Sequence, residues 1–277
     1  MSGSWIEGCF ESWDKEKIFF RIWDPAGARG TIILLHGFGE HSGRYVKFSE
    51  SISGFPVRMA IMDHRGMGRS GGARVTVGSF EDYLRDITAF REHLSQHFRV
   101  QGPVVLLGHS LGGLLAVEWA IRNPSSLKAL ILTSPFLGLR GLSALGLINR
   151  AVSFFCPGFI YRNPVIPKHL THDAAEVAAY RADPLIERKI SARLIGLLME
   201  RMRAIRKLAP AFPFPCYVLL AGDERIVDPR AARRFFEKVR ATKKELVEFD
   251  GFYHEIFREI GQEKVFNVLK TIIEDCV

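Results

Sequence analysis

Cysteine is scarce in this sequence. Cys9, Cys156, Cys216 and Cys276 stand far apart, with no C-x-x-C pair and no disulfide-rich spacing, so a scaffold built on disulfides is excluded. Long apolar runs are missing as well. No stretch reaches about 18 uninterrupted apolar residues, so nothing reads as a membrane-spanning helix. The segment Met1–Cys9 is polar and carries Glu7, which does not suit a secretory signal, and a reduced, cytoplasmic setting is the expectation. Internal repeats and low-complexity tracts are absent too.

What is present is an ordinary globular balance. Hydrophobic residues make up 47% and charged residues 25%, which argues against disorder. A chain of 277 residues suits one α/β domain with an insertion. The charge is basic, +8 from 38 Lys and Arg against 30 Asp and Glu. Basic residues gather at 188–207 and 230–244. Solvated helix faces explain such clusters, and attraction to anionic lipid surfaces or substrates is the sharper alternative. No nucleic-acid motif accompanies the charge, so no nucleic-acid partner is expected.

Apolar runs with strand character alternate with amphipathic helical stretches, the pattern of a mostly parallel sheet covered on both faces. Residues 5–10 and 17–23 read as a leading hairpin, and Thr31–Leu35, Val57–Met62, Val104–Leu107 and Leu127–Leu132 as strands. Two more strands are expected at 217–221 and 245–249. A short helix is expected at 44–53. Ser79 followed by Asp82 at capping-box spacing opens a helix over 80–98. Further helices fall at 111–122, 229–239 and 262–275. From Phe136 to about Ala211 the alternation stops. Apolar runs Leu142–Ile148 and Val152–Ile160 are followed by helical patterns at 173–181 and 187–207. The block is too apolar to stay solvated, so 136–210 reads as a helical cap inserted after the sixth strand, on a core of 1–135 and 211–277.

Chemistry concentrates at Gly108-His109-Ser110-Leu111-Gly112. This G-x-S-x-G string sits between an apolar strand and a helix, where a serine on a strained turn needs small neighbours two residues to either side. A serine nucleophile requires a base, and the base an orienting acid. On an α/β-hydrolase fold the order is serine, acid, histidine, with the last two on loops after late strands. His254 lies just past 245–249. The acid should follow 217–221, in Gly222-Asp223-Glu224-Arg225-Ile226-Val227-Asp228. Backbone donors for an oxyanion are expected from Leu111, which follows the serine, and from Phe38 in His36-Gly37-Phe38-Gly39 after an early strand.

Three patterns are set aside. Gly66-Met67-Gly68-Arg69-Ser70-Gly71 has dinucleotide-loop spacing but no helix after it, and reads as a tight turn. His93 and His97 share a helix face without a third ligand, and His254-Glu255 lacks the second histidine of a zinc-protease helix. No cofactor and no metal are therefore expected. Phe154, Phe155, Phe159 and Tyr161 read as partly exposed cap residues.

The run His36-Gly37-Phe38-Gly39-Glu40-His41-Ser42-Gly43-Arg44-Tyr45, then Asp63-His64-Arg65-Gly66-Met67-Gly68-Arg69-Ser70 and Gly108-His109-Ser110-Leu111-Gly112-Gly113, resembles the monoacylglycerol lipase and lysophospholipase group. That group belongs to the serine aminopeptidase S33-like, or hydrolase-4, family. The likeness continues through Tyr180-Arg181-Ala182-Asp183-Pro184-Leu185 to Tyr253-His254, nearly the whole chain. It implies a mobile apolar cap over a tunnel for an acyl chain, and backbone oxyanion donors at Phe38 and Leu111. The family reads D-R-x-V-D around its acid, and alignment on Arg225 and Asp228 puts Glu224 there, with Asp223 as the alternative and Asp228 a weaker one. The expectation is a serine hydrolase with Ser110, His254 and Glu224, acting on monoacylglycerols or similar lipid monoesters. Lysophospholipids or general carboxylic esters are the alternative. A small-substrate amidase or a non-enzymatic receptor fits the residues less well. The cap is expected to touch membrane or micelle surfaces.

Overall fold

The computed structural model describes residues 3–100, 102–139, 143–208 and 210–276. Strands β1 (Gly3–Glu11) and β2 (Lys17–Pro25) form the leading antiparallel hairpin. β3 (Gly30–Leu35), the short helix α1 (Val46–Ser51), β4 (Val57–Met62) and helix α2 (Phe80–Phe98) follow. Then come β5 (Val104–His109), α3 (Leu111–Arg122) and β6 (Leu127–Thr133). After β6 the chain leaves the sheet for α4 (Ser143–Phe155), β7 (Ile160–Arg162), α5 (Ala174–Ala182), β8 (Lys189–Ser191) and α6 (Ala192–Ile205). It returns through β9 (Ala211–Phe212), β10 (Cys216–Ala221), α7 (Pro229–Lys238), β11 (Arg240–Ala241), β12 (Lys244–Phe249) and α8 (Glu263–Cys276).

Eight strands make one sheet in the order β1-β2-β4-β3-β5-β6-β10-β12. Pairing is antiparallel through β4 and parallel from β4 to β12. The central strands β3, β5 and β10 are buried on both faces because helices cover both. On β3, Ile33 and Leu35 join the cluster beneath α2 and α3, while Ile32 and Leu34 turn to α1 and α8. Each such fully buried side chain stabilises the fold by about 1.5–3 kcal/mol. Helix α2 begins where the capping box places it. Ser79 Oγ accepts from the Glu81 amide, and Asp82 Oδ2 accepts from the Ser79 amide at 2.8 Å. It ends at Arg99 in the left-handed region, φ 54°.

The inserted block is helical but not purely so. Lys189–Ser191, within the expected helix 187–207, is a strand pairing antiparallel with Ile160–Arg162. Ser191 caps α6, its Oγ accepting from the Leu194 amide, and a cap residue keeps extended backbone, so the helix starts only at Ala192. Leu142 of the apolar run 142–148 lies outside the described residues. Helix α4 packs on α6 at Gly196, where a β-carbon would stand 2.7 Å from Ser153 Oγ. Helix α6 is itself seated on the sheet domain: Leu194, Leu198, Met202 and Ile205 belong to the same cluster as α2 and α3. The outer end of α4 is bare. Phe154 is 79% exposed and Phe155 77%. Among the described residues no helix is long and apolar enough to cross a membrane.

Candidate active site

Ser110 stands at the turn from β5 into α3 with φ 50° and ψ −114°, a conformation an L-residue holds only when its surroundings force it. The forcing groups are close. The Ser110 amide donates to Thr133 O on β6, and its carbonyl accepts from the amides of Gly113 and Phe136. A β-carbon on Gly108 would lie 2.3 Å from Gly112 O, and one on Gly112 would lie 1.9 Å from Leu35 O. Both positions therefore require glycine.

The loops after β10 and β12 bring the other two groups. These strands are neighbours in register, Ala221 opposite Phe249, so both loops emerge at the same end of the sheet. His254 Nε2 lies 3.0 Å from Ser110 Oγ, and His254 Nδ1 lies 2.8 Å from Glu224 Oε2. The carboxylate fixes the tautomer. Nδ1–H donates to Glu224, which leaves the Nε2 lone pair aimed at the serine hydroxyl. Glu224 Oε1 accepts from the amides of Ile226 (2.7 Å) and Val227 (3.2 Å). Burial raises the Glu224 pKa, but the imidazole and these amides outweigh it and hold the carboxyl below its ordinary value. Burial lowers the His254 pKa, but the Glu224 carboxylate, with Glu255 and Glu40 behind it, lifts the ring above the usual imidazole value. Asp223 is exposed and pairs with Arg225 at 2.7 Å. Asp228 caps α7 and pairs with Arg230. Of the three acids, Glu224 is the one hydrogen-bonded to the imidazole.

Leu111 opens α3, where an amide has no acceptor within the helix and lies at the positive end of its dipole. Phe38 lies on the loop after β3. That loop is pinned by neutral histidines: His36 Nδ1–H donates to Gly37 O, and its Nε2 accepts from the His64 amide at 2.9 Å. Burial pushes the His36 pKa down to about 4, so the ring stays neutral. His64 Nε2 donates back to His36 O.

A buried network links this loop to the histidine loop. Tyr45 Oη donates to Glu40 Oε2 at 2.9 Å, and Arg44 Nη2 donates to Glu255 Oε2 at 2.6 Å. His109, its ring 5.0 Å from that of His254, bonds Thr133 Oγ1 and is held near pKa 4 by burial. Reading for nucleophile, base and acid passes over Glu40, Arg44 and Glu255. Their only trace in the sequence is the Glu40–Tyr45 stretch of the long run and the acidic neighbour of His254. The glycine-rich turn is also explained. Asp63 Oδ1 accepts from the Ser42 amide and Oδ2 from the Arg69 amide, and a β-carbon on Gly68 would meet that carboxylate at 2.2 Å. A carboxylate of the chain fills the turn's cradle. Among the described residues no group of three or more His, Cys, Asp or Glu could hold a metal ion.

A family model described as serine aminopeptidase, S33, matches residues 26–261. The phospholipase YtpA of Bacillus subtilis is 30% identical over 260 residues, covering 92% of this chain and 99% of that one. The monoglyceride lipase of Homo sapiens is 29% identical over 254 residues, covering 90% of this chain and 83% of that one. The crystal structure of a monoacylglycerol lipase from Paleococcus ferrophilus aligns with a TM-score of 0.79 at 28% identity, covering 97% of each chain. Of an uncharacterized abhydrolase domain-containing protein from Dictyostelium discoideum the chain spans 28%. With the match running from the end of β2 to the approach to α8, the chain belongs to the serine aminopeptidase S33, or hydrolase-4, family of α/β-hydrolases.

Proposed function

We propose that this serine hydrolase cleaves lipid monoesters, monoacylglycerols first among them, through an acyl-enzyme on Ser110. The observation that carries the reading is the unbroken relay from Glu224 through His254 to Ser110 Oγ, at 2.8 and 3.0 Å. Ser110 Oγ attacks the ester carbonyl carbon while its proton passes to His254 Nε2. Negative charge gathers on the carbonyl oxygen, which the amides of Phe38 and Leu111 receive. The C–O bond to the alcohol then breaks, and the departing oxygen takes the proton from His254. Water attacks the acyl carbon next, giving a proton to Nε2, which returns it to Ser110 as the carboxylic acid leaves. Glu224 remains ionised throughout and steadies the transient imidazolium.

The substrate class is supported by the monoacylglycerol lipases among the relatives and structural neighbours. In this reading residues 136–210 are a cap over the core formed by 1–135 and 211–277. Its bare Phe154, Phe155 and Phe159, beside the basic stretch 188–207, suit peripheral contact with an anionic membrane or micelle surface. A lysophospholipase is the second reading, favoured by the similarity to a phospholipase.

Side-by-side turnover of monoacylglycerols, lysophospholipids, p-nitrophenyl esters and aminoacyl amides tests the assignment. Monoacylglycerols should show the highest kcat/KM, and preference for amides would refute the ester reading. Fluorophosphonate should label wild type but not Ser110→Ala, which should turn over no ester while melting as wild type does. Salt-sensitive co-sedimentation with anionic vesicles tests the surface contact.

A further inference from the structure

A cavity of about 430 Å³ lies between α6 of the inserted block and α7 of the core, and none of Ser110, Glu224 and His254 lines it. Its floor is apolar and buried: Leu137, Ile205 and Phe235. Its rim is basic and exposed: Arg203, Arg206 and Lys207 from α6 and its end, Arg234 and Lys238 from α7.

The charges on α7 divide in an informative way. Arg230 and Arg233, outside this lining, have carboxylate partners in the chain, Asp228 at 2.9 Å and Glu248 at 2.5 Å. The two that line the cavity do not have them at close range. Arg234 stands 3.9 Å from Asp228 Oδ2, an oxygen that the Arg230 guanidinium already reaches at 3.3 Å. Lys238 donates to the Arg206 carbonyl at 3.0 Å, joining the two walls. Among the described residues Arg203, Arg206, Lys207 and Lys238 form no ion pair. Five like charges around one cleft repel one another, and an anion from outside offsets that repulsion. A phosphate monoester matches the rim best, because its multiple charge and its acceptor oxygens can engage several cations at once. The apolar floor beneath offers a bare ion nothing and an alkyl chain a dry surface.

We propose that this cleft binds a phosphate monoester carrying an apolar chain, at a site separate from Ser110. An occupant there ties the inserted block to the core, because the rim draws on both.

The probes are octyl phosphate, which has no carbonyl for Ser110 to attack, and inorganic phosphate, titrated calorimetrically into the full chain. Octyl phosphate should bind saturably at one site, at least tenfold tighter than inorganic phosphate. The double variant Arg234→Gln, Lys238→Gln should weaken it tenfold or more while the melting temperature holds, both side chains being exposed. Should that variant melt early, Arg203→Gln on the opposite wall reads the same loss. Absence of saturation, equal affinity for inorganic phosphate, or undiminished binding in the folded variants would overturn the proposal. Phosphatidate-containing vesicles distinguish the source: binding competed by octyl phosphate assigns a membrane lipid, whereas octyl phosphate binding without vesicle binding assigns a soluble one. Either result upholds the site.

Discussion

Replacing Glu224 by glutamine changes one oxygen for one nitrogen, and the hydrogen bonds around the carboxylate determine its effect. Oε1 of Glu224 accepts two backbone N–H groups, from Ile226 and Val227, and Oε2 accepts the Nδ1–H of His254. The glutamine carbonyl can serve only one side. Turned toward the imidazole, it would put its NH2 against two amide donors, in a residue only 2% exposed. Each buried donor left without an acceptor costs roughly 1–3 kcal/mol, so the amide settles the other way. Its NH2 then faces Nδ1, which becomes an acceptor, and the ring proton moves to Nε2, where it points at Ser110 Oγ. A ring in that tautomer cannot take the serine's proton. The loss expected for such a change is about 10⁴-fold in kcat, or about 5 kcal/mol of barrier. Asp223→Asn alters an exposed carboxylate that pairs with Arg225 away from the imidazole, and exposed pairs contribute little to stability. Its kcat/KM should stay within a few-fold of wild type. The assay is steady-state hydrolysis of a soluble p-nitrophenyl ester by each purified variant, with thermal melts beside it. Near-normal turnover by Glu224→Gln together with collapse in Asp223→Asn would refute the reasoning.

The raised pKa of His254 sets the acid limb of activity: the ring must be neutral to accept a proton, so kcat/KM should fall as pH drops through an apparent pKa above 6.5. In Glu224→Gln the residual activity should inflect at lower pH, and an unmoved inflection in a pH–rate profile would contradict the coupling. Gly112→Ala should unfold or strongly destabilise the chain, at or beyond the upper end of roughly 1–3 kcal/mol for overpacking, because the new β-carbon meets the Leu35 carbonyl at 1.9 Å. Calorimetry showing an unchanged Tm would refute that. Phe154→Ser with Phe155→Ser should shift stability by no more than about 0.5 kcal/mol, both rings being exposed. The same pair should lower turnover of vesicle-borne monoacylglycerol several-fold, far more than that of a soluble ester, and equal losses on both would count against surface contact.

Strands and helices were legible wherever one physical signal dominated. The mostly apolar run Val57–Met62 is a strand at its expected bounds, and the Ser79–Asp82 box marks the start of α2. The short ladder of β7 and β8 was not legible, because three residues per strand carry no alternation and Lys189–Ser191 continues the helical pattern that comes after it. At the site, Ser110 and His254 could be read from motif and chain order, since the elbow's glycines and the late loop each have local causes. The choice of Glu224 over Asp223 needed alignment to a family pattern, because adjacent acids on one loop differ only in where the backbone points them. Pairs such as Arg44 with Glu255, 211 positions apart, leave no local mark at all. Nor does the cleft between α6 and α7, whose basic residues look in sequence like any solvated helix face.

The relay joins residues 144 positions apart, and its last member hangs from β12, the edge strand of the sheet. During synthesis on the ribosome the serine emerges early, followed by its helix and then by the whole inserted block. Until β12 docks beside β10, the loop that carries His254 has no fixed place and its Nε2 does not face the serine hydroxyl. A nascent or C-terminally clipped chain thus carries Ser110 without the imidazole that stands 3.0 Å from it in the folded chain. Loosening that one edge would part the imidazole from the serine, because β12 has a neighbour on one side only.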